Sequence, residues 1–287
     1  MRLHNQSFLG RIFDVSNYLF LGIVAGVMVF PLVYVAVGSF SSTGLLGGFN
    51  EFSLDAYRFT FSTNVLALST LNSVVITVFG TAINMVLTTI TAYALSKKYL
   101  RGRGIFLKII VMFMLFSPGI IPNYLVVSRL RLINTFWALW LPTAISAYNL
   151  IIMKNFFQQL PESIEESAKI DGCNDFMVFI LIVLPVSQAA LATITLFYAV
   201  AHWNAYFSAM MYINSISRWP IQVWLRQIII LAIGGFAGTE NMSEFASVPS
   251  DSVRYAVIMI STIPIIIFYP FLQKYFAKGV LLGSVKG

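Results

Sequence analysis

Charged residues in this chain gather in short clusters, and between them run long stretches with no Asp, Glu, Lys or Arg. Residues 15–50, 59–96, 109–128, 132–153, 176–217 and 255–273 are such stretches. A helix needs about 20 mainly apolar residues to cross the hydrocarbon of a bilayer, and each stretch has room for one. The pattern predicts spans over residues 18–40, 69–95, 109–128 and 132–153, one within 176–217 together with an interfacial piece, and a last over 255–273. The expected fold class is all-α, a polytopic membrane protein with six transmembrane helices.

Lys and Arg decide which way such a protein faces, because cytoplasmic loops near span ends carry their excess. With the N-terminus inside, Arg2, Arg11, Lys97, Lys98, Arg101, Arg103, Lys108, Lys154, Lys169, Lys274, Lys278 and Lys286 fall on the cytoplasmic side, twelve of the eighteen. Arg58, Arg129, Arg131, Arg218, Arg226 and Arg254 fall outside. Both termini are therefore expected in the cytoplasm, which requires an even number of spans. The first span is longer than a signal-peptide core of about 7 to 15 residues, so it reads as an uncleaved signal anchor.

Composition agrees with the pattern: 58% hydrophobic and 10% charged residues, with a mean hydropathy of +0.82, lie outside the usual range of soluble domains. A net charge of +7 is then a topology signal and not the footprint of a nucleic-acid partner. One cysteine, Cys173, and two distant histidines, His4 and His202, leave no internal disulfide and no metal-ligand cluster. No Gly-rich loop followed by Lys and Ser or Thr is present, and Gly102-Arg103-Gly104 is a basic turn without the context of a nucleotide site. The chain is thus expected to be no enzyme and to bind no cofactor.

The most polar stretch lies near the middle. Pro161 suits a helix start, Glu162, Glu165 and Glu166 sit where the macrodipole favours anions, and Glu165 and Lys169 are spaced as an i,i+4 pair. Gly172 can end the helix in a left-handed conformation, and Asn174 or Asp175 can cap the next one. Pro185 predicts a kink near Leu181 in the span that follows. Read without further context, this is a capped connection between two spans.

Spacing adds to that reading. Glu166-Ser167-Ala168, three residues, Gly172, nine residues, then Ile182-Val183-Leu184-Pro185 resembles the EAA loop of permease subunits of bacterial ABC importers. Ser167 for the second Ala is the one departure, and it stays small. Trp203-Asn204 after the fifth span, residues 271–276, Gly279 and the Val285-Lys286-Gly287 ending resemble the maltose-type second permease and the LplC-like permeases of complex-oligosaccharide importers. The likeness covers nearly the whole chain.

The resemblance implies a bacterial cytoplasmic-membrane protein of the type I importer permease fold. Residues 1–68 would hold the N-terminal segment, first span and external loop, residues 69–275 the core, and 276–287 a cytoplasmic tail. It further implies a coupling helix at about 161–172 seated on an ATPase subunit, with Glu165, Glu166, Ser167, Ala168, Asp171, Gly172 and Pro185 as coupling residues. Ser284, Val285, Lys286 and Gly287 would reach between two ATPase subunits, where ATP and magnesium are bound; the plain alternative is a basic end resting on anionic membrane lipid. A second permease, most often a different chain, and an extracytoplasmic solute-binding protein complete the implied assembly, with residues 234–249 in the region that meets the binding protein.

On the outer side, residues 50–63 form one loop, and residues 219–226 predict an interfacial helix anchored at the headgroups. Asn149, Tyr148, Tyr198, Trp203 and Asn204 are candidates for a sugar path, set against the plainer reading that Asn72, Asn84, Asn149 and Gln188 bond neighbouring helices. All six outer cations are Arg, whose planar fork suits carboxylates, so an acidic oligosaccharide is one candidate cargo and lipid or partner contact the other. An ion-coupled secondary transporter would need ionisable residues inside the spans, which are free of them. A membrane enzyme would need a nucleophile with its base, or a metal cluster, and neither is in evidence.

Overall fold

The computed structural model describes residues 8–41, 52–62, 64–116, 118–232 and 251–284. Among them the chain is helical, with a single isolated antiparallel bridge between Ser41 and Phe52. The helices are α1 (Phe8–Ser39), α2 (Asp55–Ser62), α3 (Asn64–Ser96), α4 (Arg103–Leu115), α5 (Ile120–Arg129), α6 (Trp137–Trp140), α7 (Ala147–Gln158), α8 (Glu162–Ile170) and α9 (Asp175–Val178). A π-helical turn, Phe179–Val183, leads to α10 (Leu184–Val186), followed by α11 (Gln188–Trp203), α12 (Tyr206–Tyr212), α13 (Ile221–Ala232) and α14 (Asp251–Ser284). Contacts divide the chain into two units, Met1–Thr63 with Ile228–Ile260, and Asn64–Gln227 with Ser261–Gly287.

In the first unit, α1 leaves almost its whole apolar length uncovered: Phe13, Tyr18, Phe20, Val27, Met28 and Phe30 are all exposed. A helix this apolar is at home in lipid. At its end Ser39 bonds the Tyr57 hydroxyl at 2.8 Å, and Phe40 stacks on Phe52 with ring centroids 5.4 Å apart. The outer loop expected at 50–63 thus carries a helix, α2, whose start is fixed by the Asp55 N–H donating to Ser53 Oγ at 3.0 Å.

The second unit is organised around α3. Ser69, Ser73, Ile76, Gly80, Asn84, Thr88 and Ala92 recur at steps of three or four, and all are buried. Small and polar residues on one stripe let helices approach closely and bond across the contact; in lipid, packing and hydrogen bonds drive association because hydrocarbon is no worse a neighbour than Leu. Thr88 Oγ1 meets the Tyr198 hydroxyl of α11 at 2.7 Å, which also accepts the Ser146 N–H at 3.0 Å. Trp140 Nε1 donates to Ile76 O at 3.1 Å. Ala92, Tyr93, Leu150, Met153, Phe157, Ala190 and Ile194 close the apolar core of α3, α7 and α11.

Several expected spans are broken. Residues 109–128 are not one helix: α4 and α5 lie at 117° to each other, separated around Pro118 and by Gly119 at φ +83°. Residues 132–153 contain only the four-residue α6, a turn through Pro142, and then α7, started by Ser146 Oγ accepting from the Asn149 N–H. Pro and Gly remove donors and allow conformations that end helices, which a count of apolar residues overlooks. Among the described residues two helices are by themselves long and apolar enough to cross a membrane, α1 from Phe13 and α3, or up to four if the pairs α4–α5 and Asp175–Val186 with α11 each count as one span. The stretch 219–226 does run into a helix, α13, but Trp219 and Trp224 are buried and pack edge-on at 5.6 Å, so they are core residues and not headgroup anchors.

Candidate functional site

The polar stretch near the middle folds as a short rod with both ends built from local chemistry. Pro161, at φ −60° and ψ 126°, precedes α8; Glu162 and Glu165 occupy its first turn and Lys169 its last, so each charge complements the macrodipole. At the far end the Cys173 N–H donates to Ala168 O at 3.0 Å and the Gly172 N–H to Lys169 O at 3.1 Å. With Gly172 at φ +90°, this is a Schellman closure. Asp171 is the C-cap. Asn174, not Asp175, caps the next helix, its Oδ1 accepting from the Met177 N–H at 2.8 Å.

One face of α8 turns inward. Ala168 is 6% exposed and sits with Val178, Phe179 and the half-buried Cys173 in the core. Ile164 and Glu165 border a small recess with Leu160, Pro161, Ile182, Val183 and Val186. The opposite face is open: Glu166 and Ser167 are exposed and Ile170 is 86% exposed, while Phe176 of α9 is 66% exposed. Ser167 returns its hydroxyl proton to Ser163 O at 2.8 Å, so the residue that departs from the EAA pattern still leaves a small surface.

Charges tie the rod down in an arrangement its own sequence does not foretell. The expected Glu165–Lys169 pair is not made. The Glu165 carboxylate accepts from the Lys97 ammonium, just past the end of α3, and the two side chains are 16% and 15% exposed. Lys169 pairs with Asp175 at 2.7 Å, and that hydrogen bond holds its ammonium above the ordinary lysine value. Glu165 faces a cation with little water around it, where a charge pair interacts more strongly than on the open side of the helix. Lys98 and Glu162, 3.4 Å apart, are exposed, and a surface pair of that kind contributes little.

Beyond α9 the chain deforms near Leu181, where the kink was expected. Pro185, in α10, has no N–H for the preceding turn; the π-helical turn at Phe179–Val183 absorbs the mismatch and the helix then turns by 83° into α11. π-turns inside helices accompany such irregularities.

The residues considered for a sugar path are not gathered into one site. Asn149, Tyr198 and Trp203 are buried; Tyr198 bonds Thr88 and Ser146, and Trp203 Nε1 donates to Ser261 O at 2.8 Å. Tyr148 and Asn204 are exposed. Asn72 and Asn84 bond backbone carbonyls of neighbouring segments, as the packing alternative requires, while Gln188 is exposed. A recess of about 390 Å³ is lined by Thr135, Phe136, Trp137, Trp140 and Arg218. Its wall is organised by Asn134, at φ +63°, which accepts from Arg218 through its carbonyl and exchanges bonds with Ser215 at 2.8 and 3.0 Å. Of the C-terminal residues, Ser284 ends α14, whereas Val285, Lys286 and Gly287 lie outside the described residues, as does the segment 234–249.

Two groupings went unread in the sequence. Lys97 and Tyr93 belong to the α8 site, and the signal for them was two lysines ending a span opposite two glutamates three residues apart. His202 lies in a buried niche on Gly80, its Nε2 2.8 Å from Asn84 Oδ1; Gly80 and Asn84, four apart on α3, were the signal.

Comparison with known proteins shows the family. Residues 85–282 match the family described as "Binding-protein-dependent transport system inner membrane component". The polygalacturonan/rhamnogalacturonan transport system permease protein YtcP of Bacillus subtilis (strain 168) is 50% identical over 283 residues, covering 96% of this chain and 99% of that protein. Protein LplC of the same organism is 48% identical over 291 residues, covering 99% and 98%. Among solved structures, a chain from the crystal structure of a bacterial ABC transporter involved in the import of the acidic polysaccharide alginate has a TM-score of 0.86 and 33% identity, covering 95% of this chain and 99% of that one. The chain therefore belongs to the family of inner-membrane components of binding-protein-dependent transport systems.

Proposed function

We propose that this chain is the permease subunit of an oligosaccharide importer, forming the translocation path with a second permease and receiving its cargo from an extracytoplasmic solute-binding protein. ATP is hydrolysed in two partner subunits on the cytoplasmic side, and α8 receives their movement. The observation that carries this reading is the two-sided build of α8: an inward face fixed by Ala168, Glu165 and a Gly closure, and an outward face where Glu166 and Ile170 stand uncovered. On a polar rod outside the apolar stretches, an exposed apolar side chain beside charge is the kind of surface a protein partner would cover. The six-span arrangement with both ends cytoplasmic goes with it, the bent pairs each crossing once, and so does location in the bacterial cytoplasmic membrane.

An acidic cargo is the favoured finer reading. The relatives are named for galacturonan-type chains and for an acidic polysaccharide, and the outer cations are all Arg. In the complex reconstituted with its binding protein, uronate oligomers are expected to stimulate ATP hydrolysis about tenfold more than neutral oligosaccharides of equal length, a difference of about 1.4 kcal/mol. Equal stimulation by neutral sugars removes the acidic reading and leaves the importer. An ion-coupled secondary transporter is the alternative; it predicts uptake that follows an ion gradient without ATP, yet the apolar stretches hold no charge to do the coupling.

A further inference from the structure

We propose that the Lys97–Glu165 ion pair is the joint through which α8 moves the end of α3, so that Glu165 is a positioning residue and not part of the surface that meets another subunit. This rests on the coupling role given to α8 above. The pair is the most enclosed of the ion pairs on α8: its side chains are 15% and 16% exposed, against 81% and 77% for Lys98–Glu162 and 44% and 59% for Lys169–Asp175.

Lys97 touches more than its partner. Its ammonium stands 4.3 Å from the centroid of the Tyr93 ring, and that ring lies 4.9 Å from Phe179, the first residue of the π-helical turn. Tyr93 and Phe179 are both buried. One cation thus joins α8, the last turn of α3 and the start of the deformed segment ahead of Pro185. The end of α3 is in turn fixed to its neighbours: Arg103 Nε donates to Leu95 O at 2.8 Å and Gln158 Nε2 to Ser96 O at 3.3 Å. A displacement of α8 cannot leave Lys97 behind without separating two poorly hydrated charges, which is costly compared with moving the helix end. Ala168 packing holds α8 against the core; the ion pair gives the contact a direction.

The test uses the whole complex in proteoliposomes and reads oligosaccharide imported per ATP hydrolysed. Lys97→Met and Glu165→Gln are each expected to lower that ratio by about threefold to tenfold, within the range by which residues on a coupling route modulate it. The double variant Lys97→Glu, Glu165→Lys is expected to import better per ATP than either single, and Lys98→Met to match the parent. Parental ratios in both single variants overturn the joint. So does an exchange variant that assembles but imports no better than the singles; if the singles fail to assemble, that variant alone decides. Failure of the importer reading looks different, because then the parent complex itself moves no oligosaccharide when supplied with ATP.

Discussion

Replacing Gly172 by Asp will leave the complex assembled and hydrolysing ATP while oligosaccharide uptake collapses. Gly172 holds φ +90°, a region that costs an L-residue about 1–2 kcal/mol. Space is not the obstacle, since a Cβ there would meet nothing within 4 Å. The strain falls on the closure itself, on the two bonds from Cys173 to Ala168 and from Gly172 to Lys169. Loosening them frees α8 to swing relative to α9, and a rod that swings at its root delivers no stroke. The new carboxylate also adds to the acids at Glu166 and Asp171. Gly172→Asn separates these effects: Asn is the other residue that helices accept at this position, so it should retain more uptake than Asp. Normal uptake per ATP by Gly172→Asp would show that the turn carries no coupling.

A second large effect is expected within the core. A Cβ added at Gly80 would stand 2.6, 2.7 and 2.8 Å from Nε2, Cε1 and Cδ2 of His202, closer than atoms pack. The ring cannot move aside freely, because Nε2 is bonded to Asn84 and the side chain is 6% exposed. Gly80→Ala must overpack the niche, at about 1–3 kcal/mol, and strand buried polar atoms of His202 and Asn84, at about 1–3 kcal/mol more. Set against a total stability of about 5–15 kcal/mol, that predicts a clear fall in melting temperature of the detergent-purified complex and poor assembly in the membrane. His202→Ala in the same chain should relieve the overpacking, so the double variant melts above the sum of the singles. A Gly80→Ala complex that melts like the parent contradicts the niche.

What could be read from the sequence and what could not divide along physical lines. The α8 rod was legible because its signals are local: Pro161 ahead of acids, Gly172 after a last basic turn, Asn174 before an apolar run. Such signals act over a few residues and survive in any context. The i,i+4 pair failed because Glu165 found a partner 68 positions away at Lys97, and a local rule has no access to such a cation. Apolar runs gave the helical class and α3, but a run is counted by composition, so Pro118–Gly119 and Pro142 inside two runs passed unnoticed although each ends a helix. Trp219 and Trp224 read in sequence as headgroup anchors because an aromatic near an Arg looks the same whether it faces lipid or a core. The polar stripe of α3 shows the converse: Ser69, Ser73, Asn84 and Thr88 sit at helical spacing inside a stretch whose average hydropathy conceals them.

Disulfide trapping at α8 tests the central claim most directly. In a Cys173→Ser background, a cysteine at Ser167, on the open face of the rod, should be labelled by impermeant maleimide only from the cytoplasmic side. It should also cross-link to the ATPase subunit in a nucleotide-dependent way, and the cross-linked complex should stop importing. Labelling from the outside, or undiminished import by the complex with the rod cross-linked to the ATPase, would contradict the account.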